Sequence, residues 1–134
     1  MSITFKNLAV LTALLFFALA CTWLFAPGLL LASWGVEFSD AVGLVGRRGA
    51  ALYAGIGVMF FAARNAGPSV ARSALIAGFI VTCSILAVQG VVELAMGHVS
   101  SGILSAVVVE AALIVAFLHA SRVPDSSAKQ QGII

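Results

Sequence analysis

Gly46-Arg47-Arg48-Gly49-Ala50-Ala51-Leu52-Tyr53-Ala54-Gly55-Ile56-Gly57-Val58-Met59-Phe60-Phe61-Ala62-Ala63-Arg64 is the stretch whose reading decides the fold. It reads as a membrane-spanning helix. Its charge-free part, Gly49 to Ala63, covers roughly 22 Å at about 1.5 Å per residue, short of a hydrocarbon core of roughly 30 Å. A span here must take in the arginine pair or hold it at the interface. A charge at that depth is costly unless its side chain snorkels or finds a partner.

The composition around this stretch points the same way. Of 134 residues, 62% are hydrophobic and 9% charged, and the mean hydropathy is +1.15. A soluble domain carries about a quarter charged residues. So few charges cannot cover a water-facing surface, so the chain reads as an integral membrane protein with one compact domain. The net charge of +2 comes with no basic run and no series of stacking aromatics, which excludes a nucleic-acid partner.

Three more spans flank the first. The expected spans are 5–26, 41–63, 72–95 and 102–119, giving an all-α, integral membrane four-helix bundle over 1–122 and a cytoplasmic tail over 123–134. Lys6, the apolar run after it and Ala18-Leu19-Ala20 resemble a secretory signal, but the apolar run continues past Cys21 to Leu31. The segment is therefore read as a retained span. Pro27-Gly28 ends it. Leu29 to Trp34 is too apolar for a solvated loop and too short to cross. It is expected to be a short interfacial helix anchored by Trp34. Gly67-Pro68 breaks the chain before the third span, and Ser100 or Ser101 is expected to cap the fourth. The small residues of the second span, Gly43 to Gly57, read as a surface for close helix packing.

The few polar residues inside spans are the candidates for function. Gly78, Thr82, Ile85, Gln89 and Glu93 share one face of the third span, expected to point into the bundle. Ala106, Glu110, Leu113 and Phe117 share a face of the fourth, with Glu110 about 13 Å down. Intramembrane ionisable groups face the interior or a water pocket as a rule. The expected cluster is therefore Arg47, Arg48, Tyr53, Gln89, Glu93 and Glu110, with one of the arginines paired to Glu93. It reads either as an ion pair that fixes helix packing or as a small polar pocket.

No catalytic set, metal site or cofactor is read. His98 and His119 fall at opposite faces, and zinc needs three or four ligands. Cys21 and Cys83 differ in depth by roughly 7 Å, at the edge of what a disulfide permits, and read as apolar fillers. Lys6, Arg64, Arg72, Arg122 and Lys129 lie on one side of a four-span topology and Arg47 and Arg48 on the other. That bias places both termini in the cytoplasm.

Taken together, the spans, the Pro27 break, Arg48-Gly49, Gly55, Arg64 and Glu110 resemble a group of small four-span bacterial membrane proteins of unknown function, akin to the DoxX-like families. The resemblance implies a four-helix fold of the inner membrane and no established reaction. Some DoxX-like relatives are membrane subunits near quinone-linked oxidoreductases. The expected role is a non-enzymatic membrane scaffold or accessory subunit, with the lipid bilayer, another copy or a partner subunit as its contacts. The alternatives are an oligomeric carrier for a small solute or proton, and a lipid- or quinone-binding membrane protein.

Overall fold

The computed structural model describes residues 4–122. Within them the chain forms helices joined by turns, with no strand. Helix α1 is Phe5–Phe25, α2 Pro27–Ser33, α3 Asp40–Ala63, α4 Val70–Ala95 and α5 Leu104–Arg122, the last preceded by a 3-10 turn at Ser101–Ile103. The bounds follow from local chemistry. Thr4, Ser39 and Ser69 each accept a hydrogen bond from the backbone N–H three residues on, at Asn7, Val42 and Arg72, which caps α1, α3 and α4. Pro27 sits at the first position of α2, where its missing N–H costs nothing. The segment 123–134, expected as a tail, lies outside the described residues.

Three helices are long and apolar enough to cross a membrane: Phe5–Phe25, Val70–Ala95 and Ser101–Arg122. Helix α3 is not one of them, because Asp40, Arg47 and Arg48 fall within it. Gly46 to Ala63 is thus helical, Arg64 caps its end, and the adjacent arginine pair is what separates this helix from the other long ones.

The helices associate as two tight pairs. Helix α1 lies along α3, and α4 along α5. Glycines set the first contact. The rings of Trp23 and Phe17 lie directly over Gly46 and Gly57, so close that an added Cβ would stand 2.5 Å and 2.9 Å from them. Such close approach gives the packing its van der Waals energy. Gly49 and Gly55 have nothing within 4 Å, so the small residues of α3 are used on one face only. In the second pair Gly90 receives Val107.

The pairs meet through aromatic rings. Phe60, Phe79 and Phe117 lie 4.7–5.2 Å apart by ring centroid, Phe16 lies 5.3 Å from Phe79, and Phe5 joins through Phe117 at 6.5 Å. Phe60 and Phe117 are fully buried. Ala9, Ala13, Ile76, Cys83 and Leu113 complete this core.

The buried face of α4 is Arg72, Ile76, Phe79, Cys83 and Gly90, a strict helical stripe. It is displaced about 100° from the small polar face expected to turn inward. Gly78 has nothing near it and Ile85 is exposed. The reason is local. Thr82 satisfies its own hydroxyl by donating to the Gly78 carbonyl at 3.0 Å, so it needs no partner helix. Phe79 gains more contact inside than any residue on the polar face would. On α5 the inward stripe does run through Ala106, Glu110, Leu113 and Phe117.

Candidate ligand cavity

Above the ring cluster the helix pairs separate and enclose a cavity of about 480 Å³. Leu15, Leu19 and Trp23 of α1 form one wall, and Cys83 and Leu86 of α4 the facing one. Ala106, Val107 and Leu113 of α5 complete the apolar lining. Phe16, Cys83 and Leu113 are buried and close the floor, while Gln89, Ser105 and Val109 are exposed along the rim. The volume falls within the range of sites for small organic ligands, which are mostly apolar with a few placed polar groups.

Those polar groups come from different helices. Tyr53 reaches the cavity from α3 with its ring 5.7 Å from that of Phe16. Gln89 and Glu93 stand on successive turns of α4. Glu110 lies deepest along α5. Its Oε2 is buried and makes no hydrogen bond to any described residue. A buried polar atom in that state costs free energy until something pairs with it.

A roof closes the far end. Leu30, Ser33 and Trp34, in and just after α2, line the cavity together with Val99 and Ile103 from the α4–α5 turn. The turn is tied down: the Ser100 N–H donates to the Trp34 carbonyl at 2.7 Å, and the Ser100 hydroxyl donates to that of Ser33 at 3.4 Å. Ser100 therefore satisfies the last carbonyls of α2. It makes no side-chain cap on the helix that follows, contrary to expectation. Gly102 lies against the Ser33 carbonyl with no room for a side chain. Trp34 also packs on Trp23, with ring centroids 5.7 Å apart.

The expected polar cluster is thus divided. Tyr53, Gln89, Glu93 and Glu110 share the cavity. Arg47 and Arg48 are exposed on α3 and form no ion pair with any described residue. Glu93 pairs instead with His98, whose Nδ1 stands 2.7 Å from Oε2 and whose backbone N–H donates to the Glu93 carbonyl. Glycine at 97, with φ +76°, lets the chain turn back far enough to make that pair. Such a pair between neighbours in sequence forms within one helix end and its turn.

Sequence reasoning offered a small polar pocket as one of two readings, and missed its mainly apolar lining and the ring cluster beneath it. The available signal was depth. Phe60 precedes Arg64, Phe79 follows Arg72 and Phe117 precedes Arg122, each within about two helical turns of a cation at the same end. Among the described residues no group of His, Cys, Asp and Glu is arranged to hold a metal ion, and both cysteines are free thiols. No family model, no curated protein and no solved structure matches this chain.

Proposed function

We propose that this chain is a membrane-embedded binding protein whose cavity holds a small, mainly apolar ligand with one hydrogen-bonding head, such as a quinone or a short lipid. The observation that carries the reading is the Glu110 Oε2, a buried carboxyl oxygen with no hydrogen-bond partner among the described residues, in the wall of a mainly apolar cavity. A carboxyl in that position is the natural anchor for a ligand head group, with Tyr53 and Gln89 as further contacts. The proposal assigns binding and no reaction.

The proposal includes α3 as the fourth span of an inner-membrane bundle, with both termini cytoplasmic. Gly46, next to the arginine pair, is covered by Trp23, and a tryptophan near a helix end is a common marker of the membrane interface. At that level Arg47 and Arg48 reach head groups by snorkelling. Reporter fusions after Arg122 and before Thr4 test this. Four spans put both on one side, and three put them on opposite sides. The resemblance to the DoxX-like group belongs to the same proposal.

A scaffold or accessory subunit is the rival reading. It fits a dry, paired cluster better than an open cavity. A carrier needs a path past Phe16, Phe60, Phe79 and Phe117, whose rings fill the bundle below the cavity.

The test uses the full chain purified in a mild detergent. Organic extraction and mass spectrometry of the wild type should yield a stoichiometric lipid-soluble compound, lost in Glu110→Leu. Trp23 and Trp34 both line the cavity, so adding back a short-chain quinone should quench their fluorescence. An empty wild type, not quenched by any added quinone or lipid and less stable than Glu110→Leu, would overturn the binding reading in favour of the scaffold.

A further inference from the structure

The opposite end of the bundle holds a second, polar pocket that the cavity ligand does not use. It has a volume of about 260 Å³ and lies between the start of α1, the end of α3 and the loop into α4. Lys6, Arg64 and Arg72 line it, with Thr4 and Asn65 beside them. The carboxylates of the described residues all lie elsewhere: Glu37 in the segment before α3, Asp40 at its start, Glu93 near the end of α4 and Glu110 within α5. Among the described residues the lining therefore holds cations and no carboxylate.

The two guanidiniums are held in place by rings and carbonyls. That of Arg72, largely buried, stacks 4.0 Å over the ring of Phe5 and donates to the Ala66 carbonyl at 3.4 Å. That of Arg64 stacks 4.0 Å over Phe61 and donates to the Phe61 carbonyl. A guanidinium stacked on its face keeps N–H groups at its edge, in a fork suited to phosphate oxygens. Lys6 adds a mobile point charge at the rim. Exposed Leu11 and Leu14 continue from Lys6 and Asn7 along α1, an apolar strip on which an acyl chain can lie.

We infer that the Lys6–Arg64–Arg72 pocket binds a phosphate group, supplied by an anionic phospholipid head at the bilayer surface or by free phosphate. The inference does not rest on the proposed cavity ligand, since its donors lie beyond the ring cluster at the other end. Lys6 and Arg64 supply the donors.

The test measures retention by native mass spectrometry of the full chain in micelles. Phosphatidylglycerol or phosphatidylcholine of matched acyl chains is added, and inorganic phosphate serves as competitor. The variants are Lys6→Gln with Arg64→Gln, the rescue Lys6→Arg with Arg64→Lys, and Arg47→Gln with Arg48→Gln as a control of equal charge. Phosphatidylglycerol should bind the wild type, the rescue and the control, and weaken roughly fivefold for each pocket cation removed. Displacement by inorganic phosphate with no preference between the two lipids identifies free phosphate as the source. Equal weakening in the pocket variant and the control overturns the inference. So does a wild type that neither prefers phosphatidylglycerol nor responds to phosphate.

Discussion

The two ends of the bundle use similar helices to opposite effect. Around Phe60, Phe79 and Phe117, ring meets ring and the core is closed. At the end of Trp23 and Glu93 the same helices part around a cavity and need a short helix and a turn to cover it. The difference is one of residue shape more than of polarity. Large flat rings at matched depths interlock across helix pairs. Leucine, alanine and glycine at the other end pack well within a pair and leave the space between pairs unfilled. Dense packing and the large cavity are therefore separated along the helices, with the ring cluster holding them together where they begin to part.

The largest effect should come from breaking the packed end. Phe60→Ala removes a fully buried ring that touches Phe79 and Phe117, and should cost about 3–5 kcal/mol in a detergent unfolding titration. Leu86→Ala in the cavity wall, already beside empty space, should cost well under half of that.

Next in size are the glycines between α1 and α3. Gly46→Ala drives a methyl into the Trp23 ring and should destabilise by about 1–3 kcal/mol. Gly49→Ala and Gly55→Ala meet open space and should stay within about 0.5 kcal/mol of the parent or gain slightly from a better helix former. A loss as large at Gly55 as at Gly46 would mean that its face, too, is packed against something.

A smaller change is expected at the roof. Gly102→Ala pushes the turn off the Ser33 carbonyl, so Trp34 should become more accessible to an aqueous quencher while the free energy of unfolding falls by only about 1 kcal/mol. The smallest effects belong to the charges. His98→Ala removes an exposed pair and should cost less than about 1 kcal/mol. Arg47→Gln should leave stability within about 0.5 kcal/mol, because no described residue pairs with it. A penalty of several kcal/mol there would restore the ion-pair reading.

Much of this architecture was legible in the residues. The helix bounds follow apolar run length and punctuation, so Pro27, Ser39 and Ser69 fall where helices start. The inward face of α5 was readable because Glu110 and Phe117 fall on the same side. The inward face of α4 was not. Its polar residues form a convincing stripe, yet Thr82 bonds its own helix and Phe79, one position away, decides the rotation. The pairing of Glu93 also escaped, since a sequence shows which charges exist but not that a turn at Gly97 delivers His98 first. The cavity is a property of the distance between helix pairs, and no local pattern encodes that distance.

The bond between Ser100 and Ser33 joins residues 67 apart in sequence. Synthesis at about 5–20 residues per second leaves the end of α2 waiting roughly 3–13 s for its partner to emerge. Throughout that interval the Ser33 and Trp34 carbonyls must find water, which keeps α2 near the aqueous boundary while α1 and α3 settle against each other. The roof is the last part to be laid, so the cavity stays uncovered until the turn after α4 has been made.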